Sequence, residues 1–484
     1  MMFTTEQWIA LLPILMTAAT SIVVMLAIAI KRHHWWNATI SVIGLNLALL
    51  STILVALSDT QIVTPLLIVD HFAALYMALI LMITLATATL MHAYLEGYGG
   101  NKEEMYLLLV IAALGAVTLA CANHFASLFI GVELLSIPLY AMVAYQIKLK
   151  SSLEAGIKYL VLSAVASAFL LFGMALIYSQ SGSLSFSGIA TWIKAGGVSN
   201  VVGLMGAAMM LVGAGFKLSM VPFHLWTPDV YEGAPAPVAG FLATASKTAV
   251  FAVLLRLFIE GGLYHYISLM DVISAIAVAS ILAGNVLALF QNNIKRLLAY
   301  SSIAHFGYLL VALVASGPLA VEAVGVYLLT YVVTTLSAFG VVTLMSSPFT
   351  ERDANQIYDY RGLFWRRPIL TSILTVSCLS LAGIPLTAGF IGKFYIITAG
   401  VDSRLWVLLA AVVMGSAIGL YYYLRLMITL FMVDPERRRF SAPIKWAQQA
   451  GGVMVLGLML LMLVLGVYPQ PFIEIIQAAG LSPR

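Results

Sequence analysis

Apolar runs of membrane-spanning length recur along this chain near 8–30, 37–57, 72–95, 104–121, 125–145, 153–178, 201–226, 237–259, 272–290, 296–315, 320–345, 368–398, 404–432 and 451–468. A hydrocarbon layer about 30 Å thick is crossed by ~20 helical residues, so the pattern predicts about fourteen transmembrane helices. Composition agrees: the 484 residues are 62% hydrophobic and 9% charged. A soluble domain carries about 25% charged residues, and so few charges cannot clothe a water-facing surface. The expected fold is an all-α polytopic membrane protein. The first run, Trp8 to Ile30, is longer than a signal h-region and has no basic segment before it, so it reads as a retained span.

Charge then sets the expected orientation. Alternate loops hold Lys31 and Arg32; Lys102; Lys148 and Lys150; Lys295 and Arg296; Arg352, Arg361, Arg366 and Arg367; and Arg437, Arg438, Arg439 and Lys445. The intervening loops and termini hold only Lys194, Arg404 and Arg484. Positive loops face the cytoplasm, which places both termini on the periplasmic side. The net charge of +4 is accounted for by these loops and calls for no nucleic-acid partner.

Six basic residues fall inside spans instead: Lys158, Lys217, Lys247, Arg256, Lys393 and Arg425. An ammonium at mid-bilayer costs from ~2.5 to ~17 kcal/mol depending on how it is measured. Arg256 stands close enough to a helix end to snorkel. Lys217 reads as well inside its span, in LVGAGFKLSMVPFHLWTPDVYEGAPAP, where Pro222 is expected to break the helix ahead of His224. A second interrupted span, LSLAGIPLTAGFIGKFYIITAG, carries Lys393 after a Gly-Ile-Pro break. Two broken helices at matching places suggest an inverted repeat of two five-helix units with polar sites at the breaks. The division expected is 1–101 for the first helices, 102–262 and 263–433 for the two units, and 434–484 for the last loop and helix.

Glu133 is the one deeply placed carboxylate and a candidate partner for Lys217; Glu104 and Glu154 stand near helix starts, where the dipole suits them. A buried lysine loses solvation in its charged form, and a nearby carboxylate restores it. Glu133, Lys217, Lys247 and Lys393, with His224, His305 and Lys158 beside them, therefore read as a proton relay whose members switch electrostatically. The competing reading is a set of structural pairs that fix helix register. The tyrosines Tyr421, Tyr422 and Tyr423 and the methionines Met459 and Met462 read as lipid-facing or packing residues. Two cysteines, Cys121 and Cys378, leave no ligand set for an iron–sulfur cluster. There is no GxGxxG unit or Walker loop, and no metal site is expected.

The stretches GFKLSMVPFHLWTPDVYEGAPAPV, LATASKTAVF, QNNIKRLLAYSSIAHFGYLL and LSLAGIPLTAGFIGKFY resemble the proton-conducting, antiporter-like subunits of respiratory complex I, and the likeness runs from end to end. The resemblance implies that Glu133, Lys217, Lys247 and Lys393 form the central membrane axis of a proton channel. In some relatives the last of these positions is a glutamate. It also implies that NADH, FMN, iron–sulfur clusters and the quinone belong to partner subunits. The implied neighbours are the membrane subunits M and K and the lateral helix of the longest family member, because nothing after Gly451 has the length to supply such a helix. The expected setting is a bacterial inner membrane. Other readings are a subunit of a Mrp-type cation/proton antiporter or a membrane-bound hydrogenase, or a non-conducting assembly scaffold.

The topology is open to test. A reporter fused after Arg484 is expected on the periplasmic side and one inserted within 349–367 on the cytoplasmic side. Finding both on one side would break the fourteen-span arrangement.

Overall fold

In the computed structural model the described residues are 4–197, 200–265, 267–346, 352–433, 440 and 449–481. The loop residues Arg437, Arg438, Arg439 and Lys445, and Arg484, lie outside them. The chain runs α1 (Thr5–Ile30), α2 (His34–Ala56), a hairpin of β1 (Gln61–Thr64) and β2 (Leu67–Val69), α3 (His71–Glu96), α4 (Glu103–Ala120), α5 (Phe125–Val143) and α6 (Lys150–Ser181). Then follow α7 (Phe186–Lys194), α8 (Val201–Leu218), α9 (Trp226–Gly233), α10 (Ala236–Phe241) and, after a π-turn at Leu242–Ser246, α11 (Lys247–Glu260). The remainder is α12 (Ile267–Leu289), α13 (Ile294–Ala315), α14 (Pro318–Ser346), α15 (Leu363–Arg366), α16 (Pro368–Ala382), α17 (Ala388–Asp402), α18 (Trp406–Phe431), α19 (Ala450–Val467) and α20 (Gln470–Ala478).

Among the described residues, 13 helices are long and apolar enough to cross a membrane, with α10 to α11 counted as one. The fourteenth expected span is the pair α16 and α17, 15 residues each, separated at Gly383–Thr387. The innermost helices are the α10–α11 span, α13 and α14, each 94% buried along its apolar stretch. They are clothed by helices whose outer faces remain apolar, as a lipid-facing surface requires.

The loops segregate by end. At one end Asn293 bridges Gln356, the Ile294 amide donates to Asn355 O (2.7 Å), Lys295 pairs with Asp353, and the Tyr98 hydroxyl donates to Tyr145 O. These are the lysine- and arginine-bearing loops, and the fold gathers them together. At the other end the hairpin joins the α4–α5 and α6–α7 turns, with the Ile68 amide on Cys121 O and the Phe125 amide on Leu184 O.

Both helix breaks use one device. The amide of Met220 reaches Gly215 O while Ser219 takes a left-handed φ of 61°. The amide of Ile384 reaches Leu379 O while Gly383 takes a φ of 84°. This is the Schellman pattern, which satisfies the last carbonyls of a helix that stops inside the protein. The first break therefore begins at Ser219, three residues ahead of the expected Pro222. Lys217 sits in the last turn of α8 instead of well inside an unbroken span.

Arg256 also differs from expectation. It does not snorkel: its side chain is 0% exposed, it grips both oxygens of Asp70 (2.7 and 2.8 Å), and it donates to Glu260 (3.0 Å). Asp70 is at the same time the N-cap of α3, accepting from the Ala73 amide. The guanidinium lies 4.8 Å from the Phe72 ring. A bidentate fork that meets a capping carboxylate ties α11, which begins with Lys247, to α3. Arg425 likewise turns inward, donating to Leu289 O and Gln291 O at the end of α12. Arg256→Ala is expected to destabilise the protein by about 3–5 kcal/mol, because it leaves buried carboxylates without their cation. Thermal unfolding in detergent measures this, and an unchanged transition would contradict the clamp.

Candidate functional site

Three buried lysines mark the site, and the fold gives each a different support. Lys217 is 7% exposed, and its Nζ donates to Ser136 Oγ on α5 and Ser163 Oγ on α6, both at 2.7 Å. Tyr140 donates to the same Ser163 (2.7 Å), and Ser167 donates to Glu133 Oε1 (2.5 Å). Ser163 and Ser167 are one turn apart on α6, as Glu133 and Ser136 are on α5, so each pair shares a helix face. Glu133 and Lys217 thus meet across a patch of hydroxyls. The direct ion pair that the sequence suggests is not among the salt bridges of the described residues. Two of the three ammonium donors of Lys217 go to serine hydroxyls instead, and Glu133 takes its bond from Ser167.

Lys247 opens α11 directly after the π-turn. A π-turn adds a residue to a helical turn and re-aims the side chains beyond it. Its Nζ donates to Ser302 Oγ (2.8 Å) and stands 4.9 Å from the Phe306 ring and 5.9 Å from the Tyr231 ring. Tyr331 donates to Ser302 at 2.8 Å and lies 3.1 Å from Ala243 O, a carbonyl of the π-turn. One turn farther along α13, His305 Nδ1 meets Tyr327 Oη (2.7 Å) and Nε2 meets Tyr423 Oη (3.3 Å). Tyr423 also bonds Ser301.

Beyond His305 lies a cavity of about 10 Å³, lined by His305, Tyr327, Thr330, Tyr331, Thr334 and Ser380 among others. That is close to the room one water needs, and the hydroxyls around it supply partners. Thr334 and Ser380 are hydrogen-bonded (2.8 Å), and Ser380 accepts from the Gly389 amide across the α16–α17 break (2.9 Å). Lys393 reaches back from α17 to donate to Ala382 O at the end of α16 (2.8 Å), 5.3 Å from the Tyr308 ring. Its ammonium therefore sits at the carbonyl end of a half-helix, where the dipole favours a cation.

Two expected members stand apart from this row. His224 is buried, both of its ring nitrogens lack a hydrogen-bond partner among the described residues, and no bond joins it to Lys217 or Lys247. Lys158 is 40% exposed and lies in a surface network: it pairs with Glu154 (2.7 Å) and Asp229 (2.8 Å), Asp229 with Arg296 (2.7 Å), and Arg296 with Glu232 (2.9 Å). Burial pushes the Asp229 carboxyl up, and hydrogen bonds from Lys158 and Arg296 outweigh it, so the group ionises below its ordinary value. Glu104 is likewise engaged at a helix start, with Arg32 (2.6 Å).

The hydroxyls of the site are not announced by the sequence. Ser136, Ser163, Ser302, Tyr327 and Tyr331 carry no motif that separates them from the serines and tyrosines of any span. Tyr422 and Tyr423, read as packing or lipid-facing, are buried and hydrogen-bonded to Asn285 and to Ser301 and His305; only Tyr421 faces outward. Among the described residues no three His, Cys, Asp or Glu side chains converge as a metal set.

Comparison with known proteins gives this geometry its family. A family model described as NADH:quinone oxidoreductase/Mrp antiporter, transmembrane region, matches residues 122–419. NADH-quinone oxidoreductase subunit N of Ectopseudomonas mendocina (strain ymp) is 60% identical over 490 residues, 99% of this chain and 98% of the relative. A chain of respiratory complex I from Thermus thermophilus with bound aureothin superposes with a TM-score of 0.82 at 33% identity, over 97% of this chain and 100% of that one. A chain of the membrane-bound sulfane sulfur reductase, an archaeal respiratory membrane complex, gives 0.85 at 26%, over 98% and 97%. A chain of the Mrp complex from a Dietzia species gives 0.85 at 19%, over 98% and 97%, and shares the fold. The chain belongs to the NADH:quinone oxidoreductase/Mrp antiporter family and is a homologue of NADH-quinone oxidoreductase subunit N.

Proposed function

We propose that this chain translocates protons as a membrane-arm subunit of a NADH:quinone oxidoreductase, through a row from Glu133 and Lys217 to Lys247, His305 and Lys393. One observation carries the reading. Lys217, Lys247 and Lys393 are held by serine hydroxyls or a carbonyl, without a carboxylate within salt-bridge distance among the described residues. The other buried cations, Arg256 and Lys295, are paired with carboxylates. A scaffold would pair all of them, since an unpaired buried charge weakens a fold. Neutral partners leave a lysine free to give up and regain its proton, and a hydroxyl both donates and accepts.

In this reading Glu133 biases the charge of Lys217 across the hydroxyl patch, and protons pass by Lys247, Ser302 and His305 to Lys393. His224 and Lys158 take part from the margins, His224 through water beside the first break and Lys158 as a charge at the α6 surface. The division into units 102–262 and 263–433 puts one broken helix in each. Redox chemistry, with its NADH, FMN, iron–sulfur clusters and quinone, is performed by partner subunits; subunits M and K are the neighbours, together with the lateral helix of the longest antiporter-like subunit. The complex lies in the bacterial inner membrane, with both termini of this chain periplasmic.

Lys217→Ala is expected to leave a complex of normal size whose proton pumping falls roughly tenfold or more, as loss of a required titrating group does. Glu133→Ala is expected to resemble it, and Arg425→Ala to do less. Pumping by reconstituted complex measures this, and equal, mild effects at all three would favour the scaffold.

Lys393 gives a sharper contrast. Glutamate at this position keeps a protonatable group, and in its neutral form it donates to Ala382 O as the lysine does. Methionine keeps the apolar stem and is far cheaper to bury. Lys393→Glu is therefore expected to pump faster than Lys393→Met in proteoliposomes matched for assembled complex. A purely structural lysine gives the reverse order.

A further inference from the structure

A polar cavity of about 250 Å³ opens among the basic loops, lined by Gln146, Ser151, Glu232, Lys295, Asp353 and Gln356 among others. It has room for a cluster of waters. Its inner wall carries a buried ion pair, Lys295 with Asp353 at 2.6 Å, whose side chains are 1% and 3% exposed. Asp353 accepts through its other oxygen from the Tyr94 hydroxyl (2.6 Å), and Lys295 also donates to Ala234 O (2.7 Å). The Arg256 clamp is built on a guanidinium, whereas this pair joins an ammonium to a carboxylate and borders a polar cavity.

The pair points toward the relay. Lys295 and Ser302 are seven residues apart on α13, two turns or about 10.5 Å along one face. Ser302 is the hydroxyl that holds Lys247. Leu298, buried one turn beyond Lys295, stands between the two polar sites. From the other side, Glu232 lines the cavity, and its chain neighbour Tyr231 faces Lys247. The Tyr231 hydroxyl is enclosed beside Ser302 without a well-formed hydrogen bond.

We propose that this cavity is where the protein takes up protons from water, with Asp353 the acceptor and Lys295 the carrier that loads Lys247. The proposal rests on the relay reading above. A hydronium ion in the cavity gives its proton to the Asp353 carboxylate, which forms an O–H bond and releases water. The neutral acid loosens its hold on the Lys295 ammonium. An N–H proton of Lys295 then passes through water past Leu298, beside Tyr231 and Ser302, to the Lys247 amine. Asp353 returns its proton to the Lys295 amine and the pair re-forms. One proton has left the cavity, one N–H bond has formed at Lys247, and nothing is oxidised or reduced.

The test uses the assembled complex in membrane vesicles. Asp353→Asn keeps the shape and the Tyr94 contact but removes the basic oxygen, and is expected to lower pumping about tenfold or more. Asp353→Glu is expected to restore most of it, which a loss of shape alone would not. In parallel, Ser151→Cys at the cavity mouth is modified with a membrane-impermeant trimethylammonium thiosulfonate. Sealing is expected to abolish most pumping in vesicles with the cytoplasmic face outward, to leave those of opposite orientation unaffected, and to be reversed by dithiothreitol; the treated parent complex is the control. Native pumping by Asp353→Asn, or by the sealed Ser151→Cys complex, would overturn the proposal. If Asp353→Asn fails to assemble, the sealing result decides alone. Lys217→Ala separates the two readings: loss there with native Asp353→Asn rejects only the uptake site, whereas native pumping in both rejects the relay.

Discussion

The site depends on how a helix is stopped inside a membrane. In hydrocarbon every backbone amide and carbonyl needs an internal partner, so non-helical backbone survives at that depth only where protein surrounds it. The turns at Ser219 and Gly383 meet this demand by folding the next two amides back onto the helix just ended. At the second break the halves approach so closely that a Cβ on Gly389 would lie 1.8 Å from Ser380 O, so only glycine fits there. What remains is a helix end with its carbonyls turned inward, and Lys393 fills that place through Ala382 O.

The same chain sorts its buried cations into two kinds. Arg256 and Lys295 meet carboxylates, and the strength of such pairs shows as the large cost of removing one partner. Lys217, Lys247 and Lys393 meet neutral oxygens. A carboxylate beside each would hold its proton in place; a hydroxyl stabilises the ammonium less and remains a competent donor once the proton has gone. The serines and tyrosines between them therefore matter as much as the lysines. They keep the buried amines hydrogen-bonded in either state.

How much of this was legible in the sequence follows from which forces are local. The spans could be read because length and hydropathy are properties of a single segment, and the second of the two breaks announced itself as Gly-Ile-Pro. The first break was misplaced because its left-handed residue is Ser219, which carries no glycine signal, while Pro222 lies downstream and draws the eye. Lys217, Lys247 and Lys393 were legible because an ammonium in an apolar run is expensive wherever its partner lies. Their partners were not, since Ser136 and Ser163 are 81 and 54 residues from Lys217. The burial of Arg256 was hidden for the same reason: Glu260 stands one turn away, but Asp70, which grips the guanidinium with both oxygens, is 186 residues distant.

Glu133 shows where a single chain stops being sufficient. It is only half-buried, and Ile130 and Ile137 on the same helix are 56% and 60% exposed, so this part of α5 looks outward. The outer face of α6 is equally apolar, with Leu160, Val161 and Phe172 exposed. A carboxylate facing lipid costs several kcal/mol, on the order of 2.5–3.5 by insertion scales, whereas one covered by a polar or charged neighbour does not. The geometry is thus unbalanced as an isolated bundle and balanced as part of an array. In the proposed relay, a neighbour covering this face would set the environment of Glu133, and Ser167, Ser163 and Ser136 would carry the difference to Lys217. On that proposal the switching charge would sit at the boundary between subunits, and the lysines that respond to it would sit inside, held by groups neutral enough to let them respond.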